Sequence, residues 1–306
     1  MNKTFRYISA IAIVLIFFSG AIAFQHFSSS VNVSSTNLKF ISNPVFIPPS
    51  IDIKKLGSEI NNGQYSVFPI YISEINSGLF YYADNRNSNN VLISRDFLFS
   101  KFDSAKSVWS KPINLLKDYP AFQEINKNMN FMEIFITIDD DIYSVNLRKN
   151  TFSPQKLNIN TKYVECSPCL SPDGTTLYFV SDRPGGSGGK DIWESERLSN
   201  GNWSEPVNLG KKVNTSADEE SPFMMADCAT LYFSSKGLTS MGGYDIFVTT
   251  RNDDGFWSMP ENLGTPINTT SDDFFYITDT YGKRAFFSSD KAKQGNQDIY
   301  FVSYKK

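Results

Sequence analysis

An all-β fold is what this sequence predicts, and three observations predict it. The 306 residues carry 26 Phe, 15 Tyr and 4 Trp, side chains that favour strands over helices. A segment of about 50 residues recurs along the chain. Within each clear copy four short strand-like runs are separated by turn residues, with no 3.6-residue apolar period. Four antiparallel strands repeated at that interval describe a blade, and a series of blades describes a β-propeller. Five blades are expected, with six as the alternative count.

The repeat is clearest over two copies. A shift of 54 residues lays 165–218 on 219–272, and 24 of the 54 positions agree. Ser167-Pro168 falls on Ser221-Pro222, Leu177-Tyr178-Phe179 on Leu231-Tyr232-Phe233, and Gly188-Gly189 on Gly242-Gly243. Trp203-Ser204 and Asn208-Leu209-Gly210 fall on Trp257-Ser258 and Asn262-Leu263-Gly264. A third copy begins near Asp273 and stops after Asp298-Ile299-Tyr300. Two worn copies lie upstream, marked by Leu79 to Asp84, Val108-Trp109-Ser110 and Asp141-Ile142-Tyr143. The units start near residues 64, 120, 163, 218 and 272.

The copy from 163 shows the strands in order. Glu165 to Leu170 is the first, and Pro172-Asp173-Gly174 turns into the second, Thr175 to Ser181. A Gly-rich loop leads to the third, Ile192 to Arg197. Asn200-Gly201-Asn202 is a hairpin turn, with Gly supplying a positive φ. Trp203 to Leu209 is the fourth, and Pro206 places it at a sheet edge, where a missing donor is tolerated. The last copy lacks this fourth strand. Ile51 to Gly57, followed by Ile60-Asn61, matches Leu209-Gly210 and Val213-Asn214. The N-terminal segment is therefore expected to complete the final blade, closing the ring and removing exposed sheet edges.

Composition excludes several functions. Net charge is −3; without Lys3 and Arg6 of the leader it is nearer −5 (27 basic against 32 acidic residues). That is not the basic excess of a nucleic-acid binder. His26 is the only histidine, so the body holds no His-based triad or His-rich metal site. No cofactor is expected. Residues 1–23 read as a secretory signal peptide, with Lys3 and Arg6, an apolar Ile8 to Phe18 and Ala21-Ile22-Ala23 as cleavage pattern. An uncleaved anchor is the alternative. Residues 24–40 read as a flexible lead-in and 41–306 as the propeller. No further apolar run reaches spanning length, so no membrane span is expected after the leader.

Ser171-Pro172-Asp173-Gly174-Thr175-Thr176-Leu177-Tyr178-Phe179, Gly188 to Trp193 and Trp203 to Gly210 resemble the WD-like, TolB-type propeller repeat of bacterial envelope proteins. The resemblance is strong over 163–304 and weak over 51–160. It implies a β-propeller in the periplasm or at the outer membrane. Relatives often add an OmpA-like peptidoglycan-binding domain or a helical repeat domain; neither is expected here. TolB itself has six blades.

Candidate residues divide by register. Asp173, Asp191, Asp227, Asp245 and Asp298 recur in the blades and read as turn caps that accept backbone N–H bonds rather than as a carboxylate ring for metal or catalysis. The loops 183–190, 236–244 and 291–297 share one repeat position, hence one face. Their Arg183, Lys190, Lys236, Lys291 and Lys293 form a candidate partner-binding rim. Cys166-x-x-Cys169 precedes a strand and a turn, not the strand-to-helix context of a redox motif, so Cys169 reads as a small buried hydrophobe. One disulfide among Cys166, Cys169 and Cys228 is open in an oxidising compartment. Asp139-Asp140-Asp141 and Asn252-Asp253-Asp254-Gly255 lack calcium-loop spacing and read as hairpin turns. Asp254-Gly255-Phe256-Trp257 puts Gly one residue too near Trp for a sialidase-type Asp-box.

The function expected is a non-enzymatic module binding an envelope protein. A glycosidase using two carboxylates is the alternative, with Glu74, Glu124, Glu133 and Glu165 outside the repeat register. A glycan-binding lectin is a third reading. The recurrence of Trp109, Trp203 and Trp257 in register places these rings between blades rather than on sugars.

Overall fold

A computed structural model of the chain describes residues 14–15, 51–73, 77–87, 92–121, 123, 132–292 and 296–304. The leader apart from Val14–Leu15, the lead-in, and Glu74, Glu124 and Lys293 lie outside the described residues. The chain forms five antiparallel sheets arranged as the blades of a propeller, and helical residues among those described are limited to 119–121 and 123.

Blade three follows the sequence closely. Glu165–Leu170, Thr176–Ser181, Asp191–Glu196 and Val207–Asn208 pair in that order. Blade four repeats it with Glu219–Met224, Thr230–Ser235, Asp245–Thr250 and Glu261–Asn262. The fourth strand is shorter than expected. Trp203 makes one isolated bridge to Arg197, and regular pairing resumes only at Val207, because Pro206 offers no donor. Blade five pairs Asp273–Thr278, Arg284–Ser289 and Asp298–Tyr304 in order, and its outer strand is Ile51–Lys55. Ile53 faces Val302 in that pairing, so the ring closes with the N-terminal strand as the sequence predicts.

The first two blades depart from the repeat. Blade one pairs Ser66–Ser73, Gly78–Arg86 and a long Leu92–Asp103, against which both Val108–Trp109 and Ile113–Asn114 lie. In blade two Glu133–Ile138, Asp141–Asn146 and Pro154–Lys156 are adjacent. The unit expected to start near 120 has helical residues at 119–121, and the strand beside Glu133–Ile138 on its inner side is Val14–Leu15, from the segment that the sequence reads as leader. Asp139 and Asp140 form the two-residue turn between its second and third strands, both with positive φ, 48° and 63°, as a type I′ hairpin requires.

Stacked, aromatic-rich layers hold blade to blade. Trp203 packs edge-on against Phe135 of blade two, Trp257 against Tyr178 of blade three, and Trp109 against Phe286 of blade five. The tryptophans thus lie between blades, as their register implies. An asparagine clasp ties blades two to five to their exit segments. Asn214 donates to Ile192 O (2.8 Å) and accepts from Ile192 N (2.8 Å). Asn268 does the same for Ile246, Asn61 for Ile299 and Asn160 for Ile142. Each clasp satisfies the backbone N–H of a third-strand residue and adds a second donor to its C=O, which also accepts from a leucine N–H of the outer segment.

Candidate functional site: the loop-face mouth of the channel

The first strand of each blade lies next to the channel axis. Its opening residue is a buried acid in three blades: Glu165, Glu219 and Asp273, all 0% exposed. Glu165 accepts from Thr161 N (2.7 Å), Thr161 Oγ1 (2.8 Å), Ser181 Oγ (3.0 Å) and Arg183 Nη2 (2.9 Å). Glu219 accepts from Thr215 N, Thr215 Oγ1 and Ser235 Oγ. Asp273 accepts from Thr269 N and Oγ1. The signal for this connector is Asn-Thr followed four residues later by an acid, a pattern that sequence reasoning passed over. Burial raises the carboxyls of Glu219 and Asp273, the latter to about 6.

The acids that recur in register brace the frame. Asp173 accepts from Thr175 N and Asp227 from Ala229 N and Thr230 N, closing the turns between first and second strands. Asp191 accepts from Gly188 N and Asn208 Nδ2, and Asp245 from Met241 N and Asn262 Nδ2. Of the acids considered for a glycosidase, Glu165 is bonded as above. Glu133 pairs with Arg197 across the boundary between blades two and three, 2.9 Å.

The described rim residues, Arg183, Lys190, Lys236 and Lys291, sit on one end of the ring, and the structure gives each a partner. Arg183 stacks on Phe179 and Trp193 while bonding Glu165 and Ile159 O. Lys291 takes the same place in blade five, over Phe287 and Tyr300, where burial lowers its ammonium. Lys236 lies over Tyr244 and 3.7 Å from Asp218. Lys190 Nζ reaches Glu220 Oε1 of the next blade, 2.7 Å, and Glu220 raises its ammonium. The loops themselves lean on the neighbouring blade: a Cβ on Gly188 would lie 2.3 Å from Ala217 O, and one on Gly242 2.6 Å from Ser271 O.

Beneath the loops the inner strands kink. Register shifts follow Cys166, Glu220, Phe274 and Pro69, and Ser167, Ser221 and Phe275 take φ of 48°, 55° and 51°. Bulges of this kind re-aim side chains and recur beside functional sites. Here they form two unlike arcs. In one, Ser167 Oγ donates to Glu220 Oε2 (3.3 Å) beside Lys190. In the other, Tyr244 and Phe274 are 4.4 Å apart by ring centroid, and Phe275 is 5.0 Å from Phe68. Arg95 lies over Tyr82 and Phe68, forked on Asp84, and its charge is felt at Cys166. Burial pushes the thiols of Cys166 and Cys169 up to about 12, and all three cysteines are free. Neither has the thiolate character of a redox or nucleophilic site. Sequence reasoning named Lys190 and the cysteines but missed Glu220, Tyr244, Phe274, Phe275 and Arg95. For Glu220, Tyr244 and Phe274 the signal is that the clear repeats differ at these positions, Cys166/Glu220/Phe274 and Lys190/Tyr244, beside shared acids and Gly-Gly pairs; no repeat signal marks Arg95.

No family model matches the chain, and no curated protein matches it significantly. Solved structures do. The β-xylosidase RS223 is 13% identical, over 83% of this chain and 95% of that one, with a TM-score of 0.52. TolB from Acinetobacter baumannii is 13% identical over 79% of this chain and 64% of its own, with a TM-score of 0.37. A putative TolB from Agrobacterium tumefaciens is 15% identical over 52% and 66%, with a TM-score of 0.33. The chain spans less than two thirds of the length of either TolB. Among the described residues no helix is long and apolar enough to cross a membrane. What the chain shares at these identities is the β-propeller fold.

Proposed function

We propose that this chain is a non-enzymatic binding propeller of the bacterial envelope, exported by its leader, and that it holds a protein partner on the loop-bearing face. The observation that carries this reading is the employment of its described candidate acids. Glu165 is buried under four hydrogen bonds, and Glu133 is paired with Arg197 between blades. Groups so held are committed to the frame. The frame repeats through blades three to five, whereas the loops that vary stand on a rigid scaffold, the usual place for recognition. Export rests on the leader, and the envelope setting on the TolB-type repeat motifs.

Photo-crosslinkers placed at the exposed positions Pro184 and Thr239, with Tyr281 at the opposite end as control, test this in intact cells carrying the full chain. The expected result is one discrete, saturable protein adduct from the loop face and none from Tyr281. Loss of every adduct together with glycoside hydrolysis by the purified chain overturns it.

A further inference from the structure

We propose that the inner edge of blade two, along Glu133–Ile138, is an acceptor for an extended, apolar segment of the protein partner, which adds there as a strand. The proposal rests on the reading of residues 1–23 as an export leader, and it names how the partner engages the chain. Three observations carry it.

The first is that the ring of inner strands is completed by a borrowed segment. Ser66–Ser73, Glu165–Leu170, Glu219–Met224 and Asp273–Thr278 are the inner strands of blades one, three, four and five, and each directly precedes its own blade's second strand. In blade two the corresponding strand is Val14–Leu15. It runs antiparallel, with Val14 opposite Phe135 and Leu15 opposite Ile134. Its Cα atoms come within 8 Å of both Ser66–Ser73 and Glu165–Leu170. The space between blades one and three therefore takes one strand, and the segment that fills it shows the room.

The second is the cost of a bare edge. Ile134, Phe135 and Ile136 are 0% exposed. Asp141–Asn146 pairs with one side of Glu133–Ile138 only. On the other side, alternate N–H and C=O groups face the added strand. Buried backbone groups without partners are costly, and an open edge is a template for a further strand.

The third is the fate of the leader. Cleavage after Ala23 takes Val14–Leu15 away from the exported chain. The residues that follow do not match its aliphatic run Ile13-Val14-Leu15-Ile16: Leu38-Lys39-Phe40-Ile41 carries a lysine, and Val45-Phe46-Ile47 stands between Pro44 and Pro48, which lack donors. Export thus opens the slot to another chain. In strand addition, main-chain bonds supply affinity and alternate side chains supply specificity. The segment that fits is a proline-free run of three or four aliphatic residues, antiparallel to Glu133–Ile138.

The test uses the chain as a bacterial host exports it, with the N-terminus read by intact mass. The probe is a synthetic peptide, Ala12 to Phe17 with a soluble Gly-Ser-Lys tail and a photoreactive leucine in place of Leu15. The processed chain, beginning at Phe24, is expected to bind it saturably in fluorescence polarisation. Photoadducts are expected on Ser66–Ser73, Glu133–Ile138 or Glu165–Leu170. The peptide with Leu15→Pro is expected to bind about tenfold more weakly or worse. The same loss is expected for the full chain carrying Ala23→Arg to block cleavage, since its own leader holds the slot. No saturable binding by folded, processed chain, adducts elsewhere, or binding indifferent to Leu15→Pro or to the retained leader overturns the proposal. So does an exported chain that keeps residues 1–23. That last outcome strikes the export reading too, whereas the others leave a partner on the loop face standing.

Discussion

Blade one and blade three solve the same problem with exchanged residues. At the head of blade three a buried acid on the first strand, Glu165, faces Ser181 on the second, and Arg183 from the following loop neutralises it. At the head of blade one the serine is on the first strand and the acid on the second: Ser66 faces Asp84, and the cation is Arg95 from the third strand. The frame needs one acid, one hydroxyl and a compensating donor set in that slot; it does not need them on particular strands. This explains why the upstream repeats look worn although the sheets are equivalent. Blade two goes further. Its second and third strands meet at the two-residue Asp139-Asp140 turn, so it has no loop to lean on its neighbour as 183–190 does.

The acid slot itself is the sharpest way to break this comparison. Glu165→Gln leaves the guanidinium of Arg183, 10% exposed, without its carboxylate. It is expected to cost about 3–5 kcal/mol in chemical denaturation. Asp273→Asn is expected to do the reverse. Its folded carboxyl sits at about 6 against an ordinary 3.8, so the folded state binds the proton more tightly than the unfolded one. The ionised form is therefore a penalty above pH 6 that fades as pH falls towards 4. Asp273→Asn should raise stability at pH 8 by on the order of 2 kcal/mol and change little at pH 4. A wild-type stability that rises with pH through this window would contradict the assignment.

The asparagine clasp gives the next effect. Asn214→Leu and Asn268→Leu each orphan a buried backbone N–H, while the matching C=O keeps its bond from Leu209 N or Leu263 N, and should cost about 2 kcal/mol. Asn114→Ala in blade one, where the side chain only caps the exposed Lys117 N, should cost roughly 0.5–1 kcal/mol. Equal losses would show that blade one hides a clasp of its own. Between these two, Gly188→Ala should cost about 1–2 kcal/mol by forcing the loop off Ala217 O, read as a lowered melting temperature. Last, Cys228 holds a φ of 55° where the equivalent turns have Gly174 and Gly282. Cys228→Gly should stabilise by about 0.5–1 kcal/mol, and a loss of stability there would mean that the cysteine packs rather than merely strains.

The strands of blades three to five, the turns at Gly174, Gly201 and Gly255, and the closing role of 51–55 were all legible, because each depends on local chemistry or on one repeat matching another. The inner position of blade two was not. A strand's neighbour in a sheet can come from anywhere in the chain, and no local signal marks Val14–Leu15 as the segment beside Phe135. Of the proposed rim, sequence alone placed Arg183, Lys190, Lys236 and Lys291 on one end of the ring. It did not show that Arg183 is spent on Glu165 or that Lys190 crosses to Glu220, since both contacts join positions far apart in sequence.

By itself, then, the order of residues determined a ring of four-stranded sheets with interblade tryptophans, because period, turn chemistry and aromatic spacing are all short-range properties. Tertiary structure decided which acids are bonded away and which side chains meet at the channel mouth. Those meetings occur only once neighbouring blades are set against each other, at residues where one repeat differs from the next.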